Sequence, residues 1–322
     1  MDYLPIANAL KDEAIRIGFD LAGITDARPS AFKGEYLDWL AQGYHGEMEY
    51  LTRNLDRRLD SSKLLDGKAA SILMVAMNYY CDTDEGPGTP TVGSDEGVIA
   101  RYARGDDYHD VMLPRLRALG SWLAERVPDV QTHSYVDTGP LLEREAAQRA
   151  GLGWVGKHTL LLNPQLGSYF FLGALVMSVP LPPDTPTETH CGTCTRCMDA
   201  CPTNAIVEPY VLDATRCISY LTIELKGDIP VEHTSVLAKA GNRIYGCDIC
   251  QEVCPFTRKF SQPTTESAYQ PRAVNTRPNL HALVMLTEEE FREKFRQSPI
   301  KRAKHRGLIR NVKAALDQGK LV

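Results

Sequence analysis

Two periods of apolar side chains divide the first 180 residues of the chain into predicted helices and strands. Apolar residues recur every three or four positions in three segments, which we interpret as amphipathic helices: 3–18, 108–126 and 141–150. Apolar runs at 71–80 and 168–179 are typical of buried strands, and we predict a further strand at 132–136. Because the predicted helices and strands alternate, this pattern indicates an α/β domain over residues 1–180.

Proline and glycine mark the boundaries of these segments. Pro140 suits the first position of the helix at 141–150, and Gly151 is a natural stop. Residues 82–97 are rich in Gly, Pro, Thr and acidic side chains, which predicts an exposed loop. The prolines of residues 180–186 interrupt regular structure and mark the entry to a second region.

Helical patterns return near the end of the chain. Thr287 and Glu290 have the spacing of a capping box, which predicts that a helix begins there. A last amphipathic helix is expected around residues 308–316. We therefore predict three regions: the α/β domain at 1–180, a cysteine-rich domain at 181–262 and a C-terminal helical segment at 263–322.

Composition points to a soluble protein. Hydrophobic residues make up 43% of the chain and charged residues 24%, which are ordinary values for a globular protein. No apolar run approaches the length of a membrane span. The N-terminus has no basic region followed by an apolar stretch, so we expect no signal peptide. The expected location is the cytoplasm, with no membrane association.

Charge is distributed unevenly along the chain. The net charge at pH 7 is −5, but residues 298–322 contain seven Lys or Arg and a single acid, Asp317. This segment therefore carries about +6, and the rest of the chain carries about −11. A solvated helix face is the simplest explanation of such a run, and an anionic partner such as RNA is the alternative.

Eight of the nine cysteines lie between residues 191 and 254, with the spacing of bacterial ferredoxins. One group has C-x2-C-x2-C-x3-C-P spacing, a second has C-x2-C-x3-C-P spacing, and Cys217 stands between them. A 4Fe–4S cluster needs four thiolates, so eight cysteines suit two clusters. The fourth cysteine of such a run binds the other cluster. We therefore predict two ligand sets: Cys191, Cys194, Cys197 and Cys254, and Cys201, Cys217, Cys247 and Cys250.

Other roles fit these cysteines less well. Structural zinc prefers two separated C-x2-C pairs, and a disulfide framework needs an oxidising compartment. The ninth cysteine, Cys81, lies far outside the motifs, and we interpret it as a buried thiol. The sequence therefore predicts a redox protein that passes single electrons.

The region ahead of the cysteines is larger than a ferredoxin needs, which indicates a substrate or cofactor domain. Residues 151–156 have G-x-G-x-x-G spacing, but they follow a predicted helix rather than a strand, so we exclude a nucleotide-binding motif. Residues 107–112 lack the glycine of the D-x-H-x-x-G signature of histidine-ligated cobalamin. Residue chemistry alone therefore indicates an iron–sulfur oxidoreductase without naming its substrate.

The remaining motifs occur in one order along the chain: Arg101–His109, Tyr135–Pro140, Gly153–His158, the two cysteine groups and Glu288–Arg302. Together they resemble the epoxyqueuosine reductase family, from about Asp38 to Leu316. The resemblance implies a cobalamin-binding α/β (α+β) domain that is similar to that of reductive dehalogenases. It also implies a ferredoxin-like domain with two clusters and a short C-terminal helical segment.

The resemblance implies an enzyme that reduces epoxyqueuosine to queuosine at the wobble position of tRNA. Electrons would pass from a reduced donor, such as flavodoxin or ferredoxin, through two 4Fe–4S clusters to cobalamin. We expect a monomer that binds the anticodon stem–loop of its tRNA partner. Two alternatives stay open: a reductive dehalogenase-like enzyme that acts on a small molecule, and a ferredoxin-like electron carrier.

The resemblance assigns the catalytic acid to Asp137. Opening an epoxide leaves an alkoxide, and a proton donor beside the departing oxygen lowers that barrier. A carboxylic acid donates near neutral pH only if its pKa is raised, as desolvation would do. From residue chemistry alone, Asp137 could instead cap the helix that follows it.

The resemblance also implies which residues contact cobalamin and tRNA. The cobalamin contacts are Arg58, Ala100, Asp137, Lys157, His158, Ser219 and Asp248. Longer members of the family continue into HEAT-like helices that help to hold tRNA, so we expect the basic end of this chain to contribute more. The predicted phosphate contacts are Lys301, Arg302, Lys304 and Arg306.

Overall fold

Ten strands, most of them short, build the sheets of the molecule. The structure is a computed structural model, and it describes residues 2–81, 92–231, 233 and 241–318. In this part of the chain the strands are β1 (Leu21–Asp26), β2 (Ser71–Asn78), β3 (Val98–Ile99), β4 (Thr132–Tyr135), β5 (Trp154–Val155), β6 (Leu161–Leu162), β7 (Phe170–Met177), β8 (Ile206–Glu208), β9 (Val211–Leu212) and β10 (Arg243–Tyr245).

A four-stranded sheet in the order β1-β2-β7-β4 forms the centre of the N-terminal half. All its neighbours are antiparallel, and β2 pairs with β7 along its whole length. Every residue of β2 is buried. The strand lies between β1 and β7 in the sheet, and helices pack against both of its faces. The predicted strands therefore form an antiparallel sheet with helices packed against it, which is an α+β arrangement.

Thirteen α-helices lie in the described residues: α1 (Leu4–Arg16), α2 (Lys33–Ala41), α3 (Leu55–Arg58), α4 (Leu64–Gly67), α5 (Tyr108–Ala124), α6 (Glu143–Arg149), α7 (Arg196–Asp199), α8 (Ile218–Ile223), α9 (Ile249–Glu252), α10 (Pro255–Phe260), α11 (Leu280–Val284), α12 (Glu288–Lys294) and α13 (Lys304–Gln318). Short 3-10 turns separate several of them. The helices around the cysteines are only one or two turns long, which lets the chain reverse direction between successive cysteines.

The central sheet separates two hydrophobic cores. Helices α1 and α5 cover one face through residues such as Leu10 and Leu116. Helix α6 covers the other face with Ala146 and Ala147. Gly23 allows the close approach on this second side, since a Cβ at that position would lie 2.0 Å from the carbonyl oxygen of Ala150. The two cores fix the ends of β4 and α6, between which Asp137 lies.

A third core joins the C-terminal segment to the rest of the molecule. It contains Ile99, Tyr245, Phe295 and Leu308, and β10 pairs with β3 in parallel beside it. Arg310 on α13 donates to main-chain carbonyls at residues 221, 225 and 227. The C-terminal helix is therefore anchored to the segment that contains the cysteines.

Most predicted elements lie within two residues of their observed bounds. The capping box of Thr287 and Glu290 is present, and Gly151 has the left-handed φ of a helix stop. The predicted role of Pro140 is wrong, because α6 begins at Glu143 and residues 137–142 are irregular. Of the predicted loop at 82–97, residues 82–91 lie outside the described residues. No helix in the described part of the chain has the length and apolarity needed to cross a bilayer.

Candidate active site

The cysteines of the first predicted set surround one cavity. Cys191, Cys194, Cys197 and Cys254 all line it, with Phe256 and Leu162 among the other residues of its wall. Burial, followed by the neighbouring Cys254 and Cys191, raises the pKa of the Cys197 thiol to about 11. Four thiols that face one space are a suitable donor set for a 4Fe–4S cluster.

The cysteines of the second predicted set are also neighbours. Burial raises the pKa of the Cys250 thiol, with further contributions from Cys247 and Cys217. Burial likewise raises the pKa of Cys217, which lies beside Cys201. Cys250 is also close to Cys197 of the other set, so the two groups adjoin. The assignment of individual ligands stays a prediction.

Ser219 is a hydrogen-bonding neighbour of Cys217. Cys217 occupies the N-cap position of α8, where the first backbone N–H groups of a helix are free. The N–H groups of Ser219 and Tyr220, together with the Ser219 hydroxyl, lower the pKa of the Cys217 thiol and oppose the effect of burial. Its predicted contact with cobalamin stays untested beside this role.

Lys157 and His158 lie against the first set of cysteines. The Lys157 ammonium donates to the carbonyl oxygens of Gly192 (2.7 Å) and Cys194 (3.0 Å). His158 lines the same cavity, and its Nδ1 accepts a hydrogen bond from the N–H of Leu160. Burial lowers the pKa of His158 to about 4, so the ring is neutral near pH 7. The structure thus places both residues beside the cysteines, while their predicted cobalamin contacts stay predictions.

Asp137 lies on an exposed turn between β4 and α6, so the desolvation expected for its carboxyl group is not present in this structure. Its φ is +59°, a left-handed conformation that costs a non-glycine residue about 1 kcal/mol or more. Tyr108 donates its hydroxyl to Asp137 Oδ2 at 3.1 Å. Helix α6 has Leu142 as its N-cap residue and no side-chain cap. Asp137 therefore does not cap this helix, which removes the alternative role that its position in the sequence left open.

Two further charged groups stand beside Asp137 at the start of α6. Glu143 Oε1 accepts the backbone N–H of Asp137 at 3.0 Å. Burial, followed by the nearby charge of Asp137, raises the pKa of Glu143 to about 8. Desolvation lowers the pKa of the Arg144 guanidinium, while Asp137, Glu143 and Cys250 oppose this effect, so the side chain lies within electrostatic range of the acid and of the second set of cysteines. Glu143 is partly exposed and Arg144 is exposed, so both side chains are accessible to solvent.

Residues from distant parts of the chain also lie near Asp137. We refer to the surface that these side chains form with Tyr108, Glu143 and Arg144 as the cleft. Arg58 is close enough to Glu143 to lower its pKa, and its Nε is buried without a hydrogen-bond partner in the described part of the chain. Arg302 lies 5.5 Å from the centre of the Tyr50 ring and interacts with the charge of Asp137. Arg302, predicted as a phosphate contact, therefore belongs to the rim of the same cleft.

Asp248 and Ala100 are both buried and lie beside each other. Asp248 Oδ2 accepts the N–H of Arg101 at 2.7 Å, and its Oδ1 accepts from Gln251. Ala100 donates its N–H to Tyr245. The two residues connect strand β3 to the turn between Cys247 and Cys250, and their predicted contact with cobalamin stays a prediction.

The four basic residues predicted to contact tRNA fall into two pairs. Lys301 forms an ion pair with Asp107 (2.9 Å), and Arg302 forms one with Glu224 (2.6 Å). Lys304 and Arg306 are exposed at the start of α13. The first pair therefore contributes to internal contacts, and the second pair presents its charge to solvent. Lys320 of the same basic run lies outside the described residues.

Tyr108 and Glu143 are functional candidates that the sequence did not reveal. Tyr108 stands in the Arg101–His109 motif, but nothing in that motif links it to an acid 29 residues away. Its ring stacks on Phe171 with centroids 4.3 Å apart, which fixes the direction of its hydroxyl.

Cys81, interpreted as a buried thiol, is half-buried and contacts the carbonyl oxygen of Tyr269.

Two family models match separate parts of the chain. One is described as "Epoxyqueuosine reductase QueG, DUF1730" and matches residues 58–138, a span that includes Asp137. The other is described as a 4Fe-4S double cluster binding domain and matches residues 190–257, a span that includes all eight cysteines of the two predicted sets.

Curated relatives match nearly the whole chain. The epoxyqueuosine reductase of Escherichia coli (strain K12) is 42% identical over 322 residues, which cover 98% of this chain and 82% of the relative. The epoxyqueuosine reductase of Cellulophaga algicola is 39% identical, and the match covers 95% of this chain and 96% of the relative.

Solved structures match equally well. A crystal structure of epoxyqueuosine reductase with an epoxyqueuosine-modified tRNA-Tyr stem loop has a TM-score of 0.89 and 35% identity, covering 98% of this chain and 82% of that chain. The enzyme from Bacillus subtilis, solved with its catalytic aspartate loop swung out of the active site, has a TM-score of 0.89, 34% identity and the same coverage. This chain therefore belongs to the epoxyqueuosine reductase family, and it carries a domain for two 4Fe–4S clusters.

Proposed function

We propose that this protein reduces the epoxide of epoxyqueuosine in tRNA to give queuosine, with Asp137 as the proton donor. The observation that carries the proposal is the exposed position of Asp137 beside Tyr108 and Glu143, in a chain of this family. Arg144 interacts with both Asp137 and Cys250, so the acid and the second set of cysteines lie close together. Electrons and a proton can therefore reach one substrate.

The two cluster sets give electrons a defined route to the cleft. The first set opens near the surface, where Gly192 and Thr193 are exposed, so we assign it the contact with a reduced donor such as flavodoxin or ferredoxin. The second set adjoins both the first set and Arg144. We therefore assign it the delivery of electrons to the cleft.

Cobalamin completes the site in this proposal. When bound, it supplies a reduced cobalt that delivers electrons to the epoxide. The partnerless Nε of Arg58 is a donor that suits amide or phosphate oxygens of the cofactor. Ser219 and Asp248 flank the second set of cysteines, and Ala100 lies next to Asp248. Lys157 and His158, the other contacts that the resemblance implies, lie beside the first set of cysteines instead.

Asp137 and its neighbours handle the proton. The carboxyl group gives a proton to the departing oxygen, which would otherwise leave as an alkoxide. Burial and the charge of Asp137 raise the pKa of Tyr108, so its hydroxyl stays a donor to Oδ2 across the working pH range. That hydrogen bond orients one carboxyl oxygen and leaves the other free to face the substrate.

The tRNA would dock over the cleft. A related enzyme has been solved with an epoxyqueuosine-modified tRNA stem loop, and Lys304 and Arg306 present positive charge on this chain's surface. Exposed cations of this kind neutralise phosphates. We place the protein in the cytoplasm as a monomer, where tRNA and reduced electron carriers are present.

The substrate is tested by nucleoside analysis of tRNA from a strain that lacks this protein. Accumulation of epoxyqueuosine, reversed when the intact gene is returned, is the expected result. A strain with normal queuosine and no epoxyqueuosine would contradict the proposal. A return of the gene with Asp137→Asn should leave the epoxide in place, which ties the phenotype to the cleft.

A further inference from the structure

The turn that carries Asp137 is held by few contacts. Asp137 and Thr138 are exposed, and the irregular residues 137–140 lie between two buried residues, Val136 and Leu141. The left-handed φ of Asp137 is unfavourable for a residue with a Cβ, so neighbouring contacts must offset it. A turn of this kind keeps its shape only while specific contacts hold it.

Three hydrogen bonds involve this turn in the described structure. Thr138 N–H bonds to the Val136 carbonyl at 2.6 Å within the turn itself. Tyr108 holds the Asp137 carboxyl group. Glu143 Oε1 accepts the Asp137 N–H at 3.0 Å. Of these contacts, only the one from Glu143 ties the backbone of the acid to a regular element outside the turn.

From this geometry we infer that Glu143 is the positioning residue that anchors the Asp137 turn in its reactive conformation. Glu143 is the first residue of α6, whose Ala146 and Ala147 are buried in the core. The anchor is therefore fixed to the rigid scaffold, while Asp137 itself stays open to substrate. The inference rests on the proposed function for its effect on catalysis, but the anchoring itself is a property of this chain alone.

Ionisable groups from several elements face Glu143 and influence its protonation state. Asp137 and Tyr108 face it from the turn and from α5, Arg144 faces it from its own helix, and Arg58 faces it from α3. Its pKa of about 8 means that the carboxyl group is mostly protonated near pH 7. In that state its carbonyl oxygen still accepts the N–H of Asp137, and the ionised carboxylate would accept the same N–H.

Glu145 provides a matched control on the same helix. Its carboxylate accepts the Ala31 N–H at 3.0 Å and the Ser30 hydroxyl at 2.5 Å, so it anchors a different segment by the same chemistry. Replacing Glu145 should loosen the backbone around Ala31 and leave the Asp137 turn unchanged. The two glutamates thus separate local anchoring from a general loss of helix stability.

The direct test is amide hydrogen exchange at Asp137 in the cofactor-loaded protein. Glu143→Ala and Glu143→Leu should raise the exchange rate of this amide roughly fivefold, the effect of one ordinary hydrogen bond. Glu143→Gln keeps an acceptor oxygen and should retain slow exchange. Glu145→Ala should raise exchange at Ala31 only. Equal exchange at Asp137 in the wild type, Glu143→Ala and Glu143→Leu would overturn the inference.

Turnover adds a second readout. Glu143→Ala should lower kcat roughly fivefold with little change in KM, because the turn reaches its reactive conformation less often. Glu143→Gln should restore kcat near pH 7, because its amide oxygen can accept the same N–H. An unchanged kcat in Glu143→Ala would refute the catalytic part. If the wild type leaves epoxyqueuosine intact, the proposed function fails, while the exchange data still decide the anchor.

Discussion

The cysteine domain and the cleft around Asp137 differ in how far solvent reaches the groups that carry out their chemistry. Burial raises the pKa of the Cys197 thiol to about 11 and that of Cys250 as well, so these groups are neutral without a metal partner. In the cleft, Asp137 and Arg144 are exposed to solvent while they interact with one another. One region is built to hold its occupants permanently, and the other is built to admit a substrate.

The two regions also differ in how the chain assembles them. The eight cysteines come from one stretch and are brought together by short helices and turns. The cleft takes residues from α3, α5, α6, the β4–α6 turn and the segment before α13. Metal binding must expel protons from the buried thiols, whereas catalysis needs a proton held at an accessible carboxyl group. Different changes should therefore disable the two regions.

The largest effect is expected from loss of a cysteine. Anaerobically purified protein should contain about eight iron and eight sulfide, from two cubanes with four thiolate ligands each. Cys217→Ser should remove or disturb only the second cluster, because Cys217 adjoins Cys201 and Cys250. Turnover should be abolished while the first cluster stays intact, as measured by iron content and EPR. A protein that contains zinc and no sulfide would contradict this account of the cysteine domain.

Asp137→Asn should have the next largest effect. The clusters should stay bound, because Asp137 lies on a turn outside the cysteine domain, and cobalamin should stay bound because Asn keeps the shape of the side chain. Turnover of epoxyqueuosine should fall by roughly 10²–10⁴, the usual contribution of a positioned general acid. Single-turnover kinetics with cofactor content as the control would measure this change. Activity near that of the wild type would show that the proton comes from another group.

Tyr108→Phe should lower turnover by roughly 10-fold. The substitution removes the hydroxyl that donates to Asp137 Oδ2 and keeps the ring that stacks on Phe171. A hydrogen bond to a charged group contributes about 1.5–3 kcal/mol, part of which water can replace at this exposed site. In the Asp137→Asn background the same change should add little, since the two residues act together. Additive losses would mean that Tyr108 has a separate role.

The smallest effect is expected from the exposed basic pair. Lys304→Ala with Arg306→Ala should weaken tRNA binding and reduce the slope of log affinity against log salt by about one for each phosphate that is no longer neutralised. Lys301→Ala serves as the comparison, because its ammonium already pairs with Asp107. Clusters and cobalamin should be unchanged. An unaltered salt slope in the double variant would make the pair a solvated helix face.

The cysteine domain could be predicted from the sequence because its cysteines follow one another at short, characteristic spacings. Spacing alone separates the two sets, and the thiols of each predicted set are neighbours in the structure. The cleft could not be predicted in this way. Asp137 was found through a resemblance, and neither its contact with Tyr108 nor that with Glu143 has a signal in spacing. These contacts depend on how β4, α5 and α6 pack, which is settled only by the tertiary structure.

The pairing of the basic side chains in the C-terminal segment also could not be predicted from the sequence. Charge density correctly marks residues 298–322 as basic, but it does not distinguish free cations from paired ones. Arg302 pairs with Glu224 and Arg310 binds main-chain carbonyls, so both contribute to folding. The prediction that Pro140 starts a helix is wrong, because the chain follows an irregular turn from Asp137 and α6 begins only at Glu143. Long-range contacts decide each of these cases.

The central claim is that electrons from the cysteine domain and a proton from Asp137 act on one epoxide. The most direct measurement is mass spectrometry of nucleosides from epoxyqueuosine-containing tRNA after incubation with the reduced protein, loaded with both clusters and cobalamin. Conversion to queuosine by the wild type, and its loss in Asp137→Asn at equal cofactor content, is the predicted result. Unchanged epoxyqueuosine with the fully loaded wild-type protein, or equal conversion by both proteins, would contradict the account.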